Sequence, residues 1–269
     1  MGSSIQRDRR KLCTRGVLSK ITLSGVRGFS TTKEISFREF SYREIPSGGG
    51  KTSLALLLDL LGRLLESGQK EIRVGSSIAY SDRSAGGDPW GSMEITLQRT
   101  PTDSPVSRKI TLHSDDVDGG LVTKFSRFSE NTIITQTKIT VLSEGDSVNR
   151  PMTHFAGLSR WHDQLRGAKD RIFPLIGGAE TFSKIFNAPW QVPGQAMTLA
   201  RMGAAVLGAP PEGGILVFDA PALAPAGYAH FMNWVHEQAS DRPLPQILLF
   251  APGPMNISKP WRWSWGASW

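Results

Sequence analysis

Apolar and polar residues alternate in some stretches of the chain and recur at helical spacing in others. Val17 to Leu23 alternates as a strand does, and Lys33 to Phe40 (KEISFREF) predicts a second strand. A third, short strand at Ser41 to Ile45 runs into Pro46-Ser47-Gly48-Gly49-Gly50-Lys51-Thr52-Ser53. Leu54, Leu56, Leu57, Leu60, Leu61, Leu64 and Leu65 then predict a helix that stops near Gly68. From Lys70 to about Leu142 the period returns to two. EIRVGSSIAYS, GSMEITLQRT, SRKITLHS and NTIITQTKITVL read as strands of an antiparallel meander, with loops at Asp82 to Gly91 and Thr102 to Ser107. Helices are predicted over Pro151 to Gly167, Ala179 to Phe186, Ala196 to Leu207 and Tyr228 to Ala239. Gly214 to Asp219 (GILVFD) and Gln246 to Phe250 (QILLF) are short apolar runs, as expected of strands buried on both faces. There is no internal repeat.

Composition narrows the class. The 269 residues suffice for one large domain or two small ones, and 39% hydrophobic with 20% charged residues is a globular balance. No apolar run approaches the ~18 residues of a membrane span. The N-terminal residues are polar and basic without an apolar h-region, so no secretory signal is expected. The single cysteine, Cys13, excludes an internal disulfide and any multi-cysteine metal site. These features together predict a cytoplasmic protein. The net charge of +7 is unevenly spread. Arg7, Arg9, Arg10, Lys11, Arg15 and Lys20 face only Asp8 in the first twenty residues, and the body is nearly neutral. The arm over residues 1–16 is predicted to be disordered. It is either a phosphate-contacting, DNA-binding segment or a solvated leader.

The glycine run carries the clearest chemistry. Glycines allow backbone N–H groups to converge on an anion, and a helix N-terminus adds unpaired donors and partial positive charge. A lysine reaching β- and γ-phosphates and a hydroxyl meeting Mg²⁺ complete such a cradle. Ser47, Gly48, Gly49, Gly50, Lys51, Thr52 and Ser53 supply these types in order. In the pattern G-x-x-x-x-G-K-[ST] the first glycine position is held by Ile45. The sequence thus reads as a phosphate-binding loop for ATP and Mg²⁺, with Thr52 at the metal. A second carboxylate-bearing strand would hold the metal from elsewhere in the sheet, and Ile215-Leu216-Val217-Phe218-Asp219 has that form.

These segments, in this order, resemble the ATPase head of the ABC-type superfamily, in its SMC/RecF-like branch. The opening VLSKITLSGVRGFSTTKEISF is similar to the branch's first two strands and turn, and the resemblance places Arg27 near the nucleotide. IPSGGGKTSLALLLDLLG resembles the Walker A loop and its helix. The resemblance makes Gln136 the Q-loop glutamine, serving the metal and the attacking water. It makes Val192-Pro193-Gly194-Gln195 a worn signature motif, whose Gly194 and Gln195 would meet nucleotide across a dimer. It makes Asp219 the Walker B metal ligand. It covers roughly residues 17–252 and implies an α/β P-loop NTPase: a mixed sheet, an antiparallel meander subdomain and a helical segment. Residues 253–269 form a tryptophan-rich tail. The departures lie in the hydrolytic groups. Ala220 stands where the family has its catalytic glutamate, and Ala251-Pro252 where it has the switch histidine. The D-loop aspartate position falls near Pro225-Ala226. About 58 residues separate Gln136 from Gly194, too few for a long coiled-coil arm.

Other chemistries find no anchor. His113, His154, His162, His230 and His236 form no metal-ligand pattern, and neither G-x-S-x-G nor G-x-G-x-x-G occurs. Trp261, Trp263 and Trp265 alternate, as in an edge strand packed on the core or an aromatic contact platform. Two functions remain. One is an ATP-dependent switch in DNA-associated processes, repair or defence, with weak or absent hydrolysis and a homodimeric or heterodimeric nucleotide sandwich. The other is a catalytically dead pseudo-ATPase serving as a scaffold.

Overall fold

A computed structural model describes residues 17–25, 29, 31–46, 49–67, 71–74, 91–98, 105–114, 121–125, 137–143, 158–178, 194–219, 221 and 223–251. Two sheets organise them. The first contains β1 (Leu18–Ser24), β2 (Lys33–Ser36), β4 (Glu71–Val74), β5 (Gly91–Leu97), β6 (Val106–Ser114) and β7 (Leu121–Phe125). Its order is β2-β1-β5-β6-β7-β4, and every pairing is antiparallel. The second contains β3 (Phe40–Glu44), β8 (Lys138–Ser143), β9 (Gly214–Asp219) and β10 (Gln246–Ala251). It is wholly parallel, in the order β3-β10-β9-β8.

Side-chain alternation in the parallel sheet fixes the layers. Ile215, Val217, Leu248 and Phe250 point into one core, shared with α1 (Lys51–Ser67) and with Ile21, Leu23, Met93 and Ile95 of the antiparallel sheet. Leu216, Phe218, Ile247 and Leu249 point into a second core. It is shared with α2 (Leu158–Ile176), α3 (Gly194–Gly208) and α4 (Pro225–Asp241). Every residue of β9 and β10 is therefore buried, which is why these strands read as unbroken apolar runs. Helix α1 lies between the sheets, and its leucines extend beyond one stripe because it meets apolar surface on two sides. Its buried Asp59 is paired with Arg63 one turn on, at 2.9 Å.

One side chain ties the sheets together. Gln246 is 1% exposed. Its Oε1 accepts from the N–H groups of Val17 (3.1 Å) and Leu18 (2.9 Å). Its Nε2 donates to the carbonyls of Leu18 (2.7 Å) and Arg38 (2.9 Å). All four bonding sites of the amide are used.

Four departures from the sequence pattern change the pairing or the length of an element. The strand expected over Lys33 to Phe40 ends at Ser36, because the chain there leaves one sheet for the other. Arg38 N–H donates to Ser41 Oγ at 2.8 Å in that turn. The β8 segment, expected as part of the antiparallel meander, pairs parallel with β9 in the other sheet. β7 was not predicted; LVTKF is too short and mixed to stand out before β6 is placed beside it. Helix α2 runs past Gly167 to Ile176, through Pro174, because Ile172, Leu175 and Ile176 are buried against α3 and α4. The helix expected over Ala179 to Phe186 lies outside the described residues, as do the arm, the tail and Cys13.

Candidate functional site

All four parallel strands end at one edge of their sheet, and the site is built there. Ile45 N–H donates to Ala251 O at 2.9 Å, extending the β3 ladder by one residue. Pro46 has no N–H and ends it. Gly49 N–H then donates to Pro46 O at 2.9 Å, closing a tight turn. Glycine is required next. A Cβ on Gly49 would lie 2.9 Å from Ile45 Cγ2 and 3.0 Å from Pro46 O. Gly50 has φ +90°, and a Cβ there would lie 3.0 Å from the tip of the Phe29 ring. Gly50 O accepts from Leu54 N–H at 2.8 Å, so α1 begins at Lys51, earlier than the leucine pattern indicated.

The result is a glycine turn opening a helix whose first N–H groups, from Lys51, Thr52 and Ser53, have no acceptor within the helix. That first turn contains no acidic residue, so nothing there repels an anion. Lys51 Nζ bends back to donate to Ile45 O (2.6 Å) and Pro46 O (3.2 Å). Gly49 N–H and the Lys51 ammonium thus converge on one oxygen, that of Pro46. The loop places a backbone donor and a cation around a single acceptor. Behind it, burial lowers the pKa of the Arg43 guanidinium, helped by the charge of Arg38. Arg43 also donates to Ser36 O.

Asp219 ends β9 at the same edge and is 4% exposed. It is in register with Ser143 on one side and Phe250 on the other, and Phe250 is in register with Arg43 of β3. One strand, β10, separates β9 from the strand that feeds the loop. At ~4.8 Å per strand step, Asp219 stands about 10 Å across the edge from Arg43.

The segment after Asp219 is held from two sides. Tyr228 Oη donates to Pro221 O at 2.6 Å from the buried face of α4. Gln195 Oε1, in the first turn of α3, accepts from Ala224 N–H at 2.9 Å. Tyr42 packs edge-on to Tyr228 with centroids 6.3 Å apart, and burial raises its pKa well above the ordinary phenol range. Gly194 begins α3 beside Gln195. Pro225 and Ala226, the D-loop position in the sequence reading, form the first turn of α4.

No protein-family model matches the sequence, and no curated protein matches it significantly. Solved structures do. An SMC head bound to the C-winged-helix domain of ScpA matches with a TM-score of 0.52 at 12% identity, over 89% of this chain and 90% of that one. The chain has the fold of an SMC head. An SMC head domain from Thermotoga maritima matches with a TM-score of 0.45 at 14% identity, over 88% and 89% of the two chains. An ATP-binding cassette, dimeric and bound to ADP and Pi, matches with a TM-score of 0.39 at 13% identity, over 91% and 88%.

Of the residues singled out from the sequence, Gly49, Gly50, Lys51, Thr52 and Ser53 come together in the loop and first helical turn, and Asp219 lies on the same sheet edge. Gln195 is bonded to the segment leading into α4, and Gly194 precedes it at the start of α3. Arg27, Ser47, Gly48, Gln136 and Ala220 lie outside the described residues. The sequence reading overlooked Phe29 and Tyr228. Tyr228 had no signal beyond membership of a helix. Phe29 stands two residues after Arg27 in the sequence, and its meeting with Gly50 is a tertiary contact.

Proposed function

We propose that this chain binds ATP with Mg²⁺ and acts as a nucleotide-dependent switch, with weak or absent hydrolysis. One observation carries the reading: the Gly49-Gly50 turn opening on Lys51, at the same strand edge as the buried Asp219. The cradle fits phosphate. Its glycines make a turn too tight for Cβ atoms, and its donors already converge on one oxygen. In this reading Lys51 exchanges the carbonyls of Ile45 and Pro46 for phosphate oxygens. The N–H groups of the loop and of α1 receive the rest of the anion. Thr52 and Asp219 hold the metal, joined by Gln136; when bound, Mg²⁺ neutralises phosphate charge. Arg27, Ser47, Gly48 and Ser53 line the nucleotide side. Ala220 cannot serve as a general base, and losing such a group costs ~10²–10⁴ in rate. Binding energy therefore sets conformation instead of driving turnover. The switch would act in a homodimer or heterodimer through Gly194 and Gln195, in a DNA-associated cytoplasmic process. Its parts are a head over residues 17–252, a basic arm over 1–16 that can meet DNA phosphates, and a tail over 253–269. No helix among the described residues is long and apolar enough to cross a membrane.

The second reading is a pseudo-ATPase scaffold. Ala220 favours it, and so does Ile45, which fills the first glycine position with a side chain 1% exposed. The SMC head of similar fold was solved with a winged-helix domain bound, so a head can present a docking surface for a protein. Calorimetry with Mg·ATP on the parent and on Lys51→Ala, with phosphate release followed in the same samples, separates the two. Binding that disappears in Lys51→Ala, with little release, supports the switch. No binding in either leaves the scaffold.

A further inference from the structure

Phe29 lies in the connection between β1 and β2 and is 4% exposed. It packs in the core that contains Leu54, Leu57 and Leu58 of α1. Its ring tip is turned to the glycine loop. A Cβ on Gly50 would stand 3.0 Å from Cζ, 3.3 Å from Cε2 and 3.6 Å from Cε1. An aromatic ring thus abuts Gly50, whose φ is +90° and whose carbonyl accepts the first hydrogen bond of α1.

We propose that Phe29 is a positioning residue for the phosphate loop, acting through Gly50. The proposal rests on the nucleotide reading and names a residue that serves the same site without touching ligand. Three successive glycines carry no side chains with which to fix a loop, and glycine is the most permissive residue in φ and ψ. A cradle made of them loses affinity to the entropy of ordering unless something outside it restricts the backbone. The Phe29 ring supplies that restriction. It blocks movement of Gly50 toward the core, and Gly50 precedes Lys51 directly, so the ring sets where α1 starts and where its first N–H groups point. Phe29 is too deeply buried to contact nucleotide, so its effect reaches the ligand only through the loop.

The test compares Phe29→Ala and Phe29→Leu with Ile95→Ala, a 0% exposed position of the same core on β5. Two readouts are taken: amide exchange at Leu54 to Leu57, the first hydrogen-bonded amides of α1, without nucleotide, and Mg·ATP affinity. Phe29→Ala is expected to speed exchange at these amides by about tenfold over those of α4, and to weaken Mg·ATP by about tenfold. Phe29→Leu should restore most of both, and Ile95→Ala should change neither ratio. Unchanged exchange in Phe29→Ala overturns the proposal. An Ile95→Ala effect as large as that of Phe29→Ala also overturns it, because the ring would then act only through general core stability. If the parent binds no Mg·ATP, the nucleotide reading fails, while the exchange comparison still decides whether Phe29 holds the loop. If Phe29→Ala does not fold, Phe29→Leu carries the test, with about a threefold change expected in each readout.

Discussion

Gln246→Leu separates the two sheets chemically while nearly preserving side-chain volume. The amide satisfies Val17 N–H, Leu18 N–H, Leu18 C=O and Arg38 C=O. Val17 and Leu18 are both 0% exposed, so three of these groups lose their partner where water does not reach. The bond to Arg38 O is only part-buried, and water can replace it. At ~1–3 kcal/mol for each buried group left unsatisfied, the loss is about 3–9 kcal/mol. Burying leucine in place of a polar amide returns about 1–2 kcal/mol, leaving a net destabilisation of about 4 kcal/mol. For a domain of this size that is a fall of roughly 8–16 °C in Tm. Urea unfolding by circular dichroism at constant m-value measures it. A shift below about 1 kcal/mol would refute the reasoning, since it would mean the sheet junction is held by apolar packing and the four bonds are replaceable.

The remaining expectations concern the site. Gln195→Ala should free the segment before α4 and speed exchange of the Ala224 amide by about fivefold, the worth of about one hydrogen bond; unchanged protection at Ala224 would show that Tyr228 holds the segment alone. Asp219→Asn should remove most of the Mg²⁺ dependence of ATP binding, read by calorimetry with and without chelator, while ATP binding as such persists. Equal Mg²⁺ dependence in both proteins would exclude Asp219 from the metal. Ala220→Glu should not by itself give fast phosphate release, because Ala251 ends β10 with no imidazole; a gain above ~10²-fold would show that a base was the one missing group. Lys51→Ala should abolish Mg·ATP binding, and retained affinity would refute the phosphate-loop reading.

Local patterns gave the elements around the loop. The leucine periodicity of α1, the unbroken apolar runs of β9 and β10, and the Gly-Lys-Thr sequence each report a local requirement: a helix face, a strand buried twice, a turn without Cβ atoms. These needs are written in adjacent residues, so Lys51 and Asp219 were visible as candidates before any fold was in hand. The boundaries were less legible. Gly167 carries a helix-stopping signal that burial of Ile172 and Leu175 overrides, since packing outweighs a propensity cost of ~1 kcal/mol.

Partnership was decided only by tertiary structure. Alternation in Lys138 to Leu142 fits an antiparallel or a parallel strand equally well, and its neighbour β9 lies about seventy residues away. The same holds for Gln246, which is one polar residue at the start of an apolar run until the fold brings Val17, Leu18 and Arg38 to it. Phe29 meets Gly50, and Gln195 meets Ala224, on the same terms. The sequence by itself determined which residues must be buried and where a glycine turn opens a helix, because those follow from side-chain chemistry and local geometry. Which side chains abut that turn was decided by long-range packing, because contacts between residues far apart in the chain leave no period to read.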